Sequence, residues 1–198
     1  MWKKKEFDDL IHDLEVIKDI VDGCAFLGAV VSNERPRPKS VKGRLKALDI
    51  VDGQQRLLTL YIFILAISER IHFYDPGLAS TYILDYLFLP ERDGLTVNTR
   101  IVPSLKDRSQ FRVLWNRVYT PEKMKGILDK NPPKPPLPSG NSTGSLIKQY
   151  ARIIKWLKST TPSTPIEASF YLQDILEIVT NKLVFVHLKL TDPSVATK

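Results

Sequence analysis

Phe7, Leu10, Ile11, Leu14, Ile17, Ile20 and Val21 recur at steps of three and four residues, with charged and polar side chains between them. That spacing lays one apolar stripe along a helix, predicted over residues 8–21. Gly23 follows where a residue in the left-handed conformation would close the helix. Residues 25–32 (AFLGAVVS) are short, apolar and rich in valine, the pattern of a buried strand. A polar, basic stretch runs on to residue 46, and residues 47–51 read as a second strand paired with the first. From Gln54 to about Phe73 the period turns helical, and residues 57–67 are apolar almost all round. A helix with so little polar face must be covered on most sides, which makes it the expected central helix of the domain.

The second half of the chain is mostly helical in pattern. Helices are predicted over residues 79–89 and 107–119, and Thr120-Pro121 reads as an N-cap with proline at the first position of another. Residues 131–144 (NPPKPPLPSGNSTG) form an expected exposed, semi-extended insertion. Amphipathic helices follow over 146–157 and 166–183, then a β-branched strand over 184–190, and Asp192-Pro193-Ser194 reads as a further helix cap. The fold expected from this order is α+β: a small mixed sheet, a long buried central helix and a mostly helical second half. The word DIVDG occurs twice, at 19–23 and 49–53. The two copies are expected to differ in structure, because tertiary context overrides local preference.

Composition narrows the picture. With 198 residues, 43% hydrophobic and 26% charged, the chain can bury a core and is not disordered throughout. Cys24 is the lone cysteine, so an intrachain disulfide and a zinc cluster built on thiolates are excluded; it is expected as a small core residue. His12, His72 and His187 offer no pair at the i, i+4 spacing of a helical metal site, and His12 is expected to be exposed. The net charge of +7 and pI near 9.4 favour polyanionic partners such as DNA or nucleotides. No apolar core follows the basic start Met1-Trp2-Lys3-Lys4-Lys5, and the longest apolar run, residues 60–67, falls short of the ~20 residues that cross a bilayer. A reduced, cytoplasmic protein without a membrane partner is expected.

The informative stretch is Ile50-Val51-Asp52-Gly53-Gln54-Gln55-Arg56-Leu57, which joins the second strand to the central helix. The first amides of a helix lack intrahelical partners and sit at the positive end of its dipole, a ready site for phosphate. Gly53 lets backbone approach a ligand closely, and Arg56 adds a planar fork of donors. Gln54 and Gln55 can orient a water or a sugar hydroxyl, and Asp52 can hold a magnesium ion or a proton. The plainer alternative is Asp52 as an N-cap, Gly53 as a tight turn, and two solvated glutamines. A second candidate is the basic loop, where Arg35, Arg37, Lys39, Lys42, Arg44 and Lys46 can contact DNA phosphates. No aromatic lies within it to stack on bases. The alternative there is a solvated hairpin loop.

VDGQQRLLTL closely resembles the DGQQR-L-T-T-L signature of the GmrSD restriction endonuclease N-terminal-domain family, whose core is similar to the ParB and sulfiredoxin fold. Phe26-Leu27-Gly28-Ala29-Val30-Val31 looks like the family's F-L-G-x-I-V strand, and Pro103-Ser104-Leu105-Lys106-Asp107 matches its P-S-x-x-D segment. The resemblance covers roughly residues 7–195. It implies bacterial defence against foreign, often modified, DNA, with nucleotide binding and hydrolysis or ParB-like nuclease activity in this domain and an HNH nuclease domain as partner. It places function on Asp52, Gly53, Gln54, Gln55 and Arg56, with Asp52, Gln55 and Arg56 as the catalytic set. A nucleoside triphosphate and magnesium are the implied ligands. Leu58 replaces the first threonine of L-T-T-L and is expected to face a core. Of the family's P-x-Y-Q-R-x-Y-x-W motif only Trp2 has a counterpart, and F-x-x-L-N-x-x-G is absent. The expectation is one domain over residues 1–195, trimmed at both ends, with 196–198 starting a continuation. A DNA-binding module without turnover and an inactive remnant are the alternatives.

Overall fold

A computed structural model describes residues 4–20, 22–34, 48–90, 97–118 and 144–190. Its first element, α1 (Lys4–Lys18), is the predicted amphipathic helix, with Phe7, Leu10, Leu14 and Ile17 buried and His12 exposed. The helix ends sooner than its apolar spacing suggests, leaving Ile20 exposed. Gly23 is not the left-handed cap expected of it, since Gly28 and Gly53 are the glycines with positive φ among the described residues. What Gly23 provides is room: a Cβ there would meet the Ile20 Cβ at 2.8 Å. The two DIVDG words do diverge, one glycine in each conformation.

The described residues form two compact units, one of residues 4–57 with 180–190 and one of residues 58–179. In the first, β1 (Ala25–Glu34) lies between β2 (Leu48–Asp52) and β5 (Leu183–Leu190). The β1–β2 pairing is antiparallel, with Val31 opposite Asp52 and Ser32 opposite Ile50, and β5 runs parallel to β1 with Val30 opposite His187. The sheet is therefore small and mixed, as expected. The expected burial of β1 holds only in part. Val30 and Ser32 are buried, whereas Phe26 is 64% exposed. Cys24 is also exposed, and not the core residue expected. The register of β1 against β5 slips between Phe26 and Ala29, and Gly28, at φ +96°, occupies that bulge.

Helix α2 (Gln54–Ile71) is the buried rod that its composition demands. Leu58, Tyr61, Ile62, Phe63, Leu65, Ala66, Ile67 and Ile71 are all buried, and Leu58 faces the core where the family signature has threonine. In the second unit, α3 (Pro76–Tyr82) starts from an Asp75 cap that accepts the Leu78 amide at 2.9 Å. The predicted helix over 79–89 gives way to a π-helical turn (Ile83–Leu87) and then a strand, β3 (Phe88–Pro90), paired with β4 (Val97–Thr99). The cause is tertiary. Phe88 packs edge-on against Trp115 at 4.5 Å between centroids, and the Leu87 carbonyl accepts the Tyr61 hydroxyl at 2.9 Å. Helices α4 (Arg108–Val118), α5 (Ser145–Thr160) and α6 (Pro165–Glu177) complete the unit. A π-helical turn (Ile178–Lys182) leads from α6 to β5, so the predicted helix over 166–183 ends early. Pro103-Ser104 and Asp107 form the entry to α4, where the Ser104 hydroxyl donates to the buried Asp107 carboxylate at 2.7 Å. No helix among the described residues is long and apolar enough to cross a membrane.

Trp2, the basic loop at 35–46, the helix start at 120–121, residues 131–143 of the proline-rich insertion and the cap at 192–194 lie outside the described residues.

Candidate functional site

The DGQQR word occupies one turn of structure. Asp52 ends β2, Gly53 makes the bend and Gln54 opens α2. The bend is tight because Gly53 packs on the neighbouring strand. A Cβ on it would stand 2.9 Å from Val30 Cγ2 and 3.0 Å from the Ala29 carbonyl oxygen, and its φ is +85°. Gly53 is thus required by close packing against β1, whatever ligand approaches from outside.

The first intrahelical bond of α2 runs from the Leu57 amide to the Gly53 carbonyl at 3.1 Å. The amides of Gln54, Gln55 and Arg56 precede it and have no carbonyl of their own helix to meet. Asp52 does not cap them: among the described residues its carboxylate makes no hydrogen bond. That removes the plainest structural role for Asp52 and leaves the dipole end uncompensated by hydrogen bonding.

Gln54 turns back along the chain and donates its side-chain amide to the Ile50 carbonyl at 2.6 Å, bracing the strand-to-helix corner. Gln55 is different. Its Oε1 is buried and lacks a hydrogen-bond partner among the described residues. A buried carbonyl oxygen without a donor costs about 1–3 kcal/mol, which a hydroxyl, amine or water placed against it recovers.

Arg56 is oriented by β1. One Nη1 hydrogen goes to the Ala29 carbonyl at 2.9 Å, and the plane of the guanidinium lies against Gly28, where a Cβ would sit 3.4 Å from Cζ, Nε and Nη2. The bulge that gives Gly28 its positive φ thus leaves a bare backbone surface for the cation. Arginine carries five N–H donors, so one bond to Ala29 fixes the group and leaves most of the fork for another acceptor. Asp52 Oδ2 is 4.0 Å from Nη1, with the two side chains 71% and 33% exposed respectively, a separation and exposure at which the pair is largely screened.

Structure thus brings Asp52, Gly53, Gln54, Gln55 and Arg56 together with Gly28 and Ala29 of β1. The last two do not stand out as site residues in the sequence. Their only signal is the F-L-G word of the strand, and a backbone carbonyl 27 residues away from its donor leaves no local trace. The basic-loop residues Arg35, Arg37, Lys39, Lys42 and Arg44 lie outside the described set.

For magnesium the fit is limited and definite. No group of three histidine, cysteine, aspartate or glutamate side chains able to hold a metal ion occurs among the described residues. Magnesium is commonly held by one or two carboxylates together with phosphates and water. Asp52, mostly exposed and beside Arg56, fits as the single protein ligand of an ion carried on phosphates.

No curated protein matches the chain. The model of the family described as GmrSD restriction endonuclease, N-terminal domain, matches residues 1–197, and the chain belongs to that family.

Proposed function

We propose that this chain is the nucleotide-binding, and nucleotide-hydrolysing, regulatory domain of a modification-dependent DNA restriction system that defends against phage. The observation that supports this most is the open helix end beside an anchored cation. Three first-turn amides precede the Leu57–Gly53 bond, no carboxylate hydrogen-bonds to them among the described residues, and the Arg56 guanidinium is held by Ala29 with donors to spare. Amide donors at the positive end of a helix, with an adjacent planar fork, suit the oxygens of a polyphosphate.

In this mechanism the Gln54, Gln55 and Arg56 amides and the Arg56 side chain bind the phosphates and neutralise charge as it builds on them. The unpaired Gln55 Oε1 accepts a hydrogen bond from the attacking water and so orients it. Asp52 would hold the magnesium ion of a bound nucleoside triphosphate, and that ion would supply further neutralisation of phosphate charge. Gly28, Ala29, Gly53 and the side chain of Gln54 position these groups without touching the ligand's reacting atoms. There is no G-x-x-x-x-G-K-[ST] in the sequence, so the phosphates are not held by a Walker-type loop. The protein works in the cytoplasm, with DNA as its target and an HNH nuclease domain or subunit as the partner that cuts.

Phosphate release from GTP, ATP and CTP, with and without DNA, tests the catalytic part. Release by the wild type that falls by two orders of magnitude or more in Arg56→Ala, on the scale of removing one transition-state donor (about 10²–10³), supports it. Equal rates for the two proteins would remove it.

A further inference from the structure

Helix α5 is divided sharply between two faces. Leu146, Ile147, Tyr150, Ile153, Ile154 and Leu157 are buried, and on the opposite side Lys148, Arg152, Lys155 and Lys158 are exposed. The four cations follow at steps of four, three and three residues, which keeps them on one face over about 15 Å of helix. The helix carries no aspartate or glutamate. Exposed helix faces gain from opposite charges at these spacings and lose from like ones, so a purely basic row is a standing repulsion. Helix α4, packed against α5, extends the same sign. Arg108 and Arg112 are exposed on it and it too has no acid. The Gln110 side chain of α4 accepts the Leu146 amide at 2.9 Å and so fixes the start of α5 against its neighbour. Among the described residues Arg112, Lys148, Arg152, Lys155 and Lys158 enter no ion pair.

We infer that this basic face of α5 docks on the phosphate backbone of duplex DNA. Charge complementarity selects the occupant. A rigid row of unpaired cations gains most from a regular row of phosphates, whose condensed counterions it releases. An anionic membrane fits poorly, because the apolar side of α5 is already buried and nothing remains to insert. Single strands fit poorly as well: Trp156, the helix's large aromatic, packs edge-on against Phe63 at 5.7 Å and is not a stacking platform. The proposal does not depend on the nucleotide reading of Arg56.

Fluorescence anisotropy of the full chain on a short labelled duplex, across a salt series and without nucleotide, tests this. The neutralised helix Lys148→Gln/Arg152→Gln/Lys155→Gln/Lys158→Gln is expected to bind at least tenfold more weakly at moderate salt. Its slope of log affinity against log salt should fall by about three to four, near one for each phosphate that no longer meets a cation. All four positions are exposed, so far-UV circular dichroism should be unchanged. Should that variant fail to fold, Lys155→Gln alone is expected to lower the slope by about one. Lys155→Arg, which keeps the charge, is expected to bind as the wild type does. Overturning results are no binding by the wild type, an unchanged slope in the folded quadruple or single variant, or equal weakening by Arg35→Gln/Arg37→Gln/Lys39→Gln/Lys42→Gln, which would make the effect one of net charge. Tighter binding to duplex RNA, or to phosphatidylserine vesicles, would also overturn it.

Discussion

The guanidinium of Arg56 rests on Gly28, where a Cβ would lie 3.4 Å from its Cζ, Nε and Nη2. Two features meet at that contact: the backbone of β1 adopts φ +96° at the bulge, and the cation lies against it, anchored by the Ala29 carbonyl. Gly28→Val strains both. The substitution is expected to cost about 1–3 kcal/mol of stability from the backbone conformation alone. It should also weaken nucleotide binding about tenfold by displacing the fork, a change of about 1.4 kcal/mol. Urea unfolding and nucleotide titration on the same protein separate the two effects; a variant that loses stability and keeps affinity would detach Gly28 from the site.

Gly53 supports the same corner from the other side. Its left-handed φ and the 3.1 Å approach that a Cβ would make to Val30 Cα leave no accommodation short of moving backbone. Gly53→Ala is therefore expected to lower stability by about 1–3 kcal/mol, with a clear fall in Tm by differential scanning calorimetry. An unchanged Tm would mean that the corner is not built as described.

Much of this arrangement is legible in the sequence. The start of α2 at Gln54, its burial and the helical second half follow from periodicity and from the Asp-Gly bend, which are local signals, and the mixed sheet follows from the family resemblance. What escapes is set by contacts between distant residues. The three-residue strands β3 and β4 are too short to show a period, and their formation depends on Phe88 meeting Trp115. Gly23 and Gly53 end the same five-residue word, yet only the second is driven to positive φ, by the strand beneath it. At the site, the five residues of the motif stand out by composition and position. Their anchor, the Ala29 carbonyl, cannot, because a backbone group has no sequence signature.

The Pro103-Ser104 segment makes a structural prediction. Ser104 donates to the buried Asp107 carboxylate at 2.7 Å, and the Phe111 amide bonds the Asp107 carbonyl at 2.9 Å to begin α4. Ser104→Ala leaves a buried carboxylate oxygen short of a donor and is expected to destabilise the chain by about 1.5–3 kcal/mol, the range for hydrogen bonds to charged groups. Nucleotide affinity should not change. Denaturant unfolding checks the first statement and calorimetric titration the second.

Tyr61 makes a pH prediction. Burial pushes its phenol above the ordinary value of 10.0, opposed weakly by the positive charge of Arg100. The folded value exceeds the unfolded one, so the stabilising contribution is complete below pH 10 and is lost as pH rises above it. Unfolding free energy is expected to decline through the strongly alkaline range, and Tyr61→Phe should flatten that decline. At neutral pH the variant should lose about 0.5–1.5 kcal/mol, since the Leu87 carbonyl keeps the Arg100 amide at 3.0 Å as a second partner. Parallel alkaline profiles for the two proteins would contradict this.

Calorimetric titration of GTP, ATP and CTP with magnesium into the full chain, set beside Arg56→Ala and Arg56→Lys, decides whether the Arg56 fork holds a triphosphate. Saturable binding of at least one triphosphate by the wild type is expected. Its affinity should fall at least tenfold in both variants, because lysine keeps the charge and loses the planar fork. Absence of binding to any triphosphate, or equal affinity in the wild type and Arg56→Ala, would contradict the account.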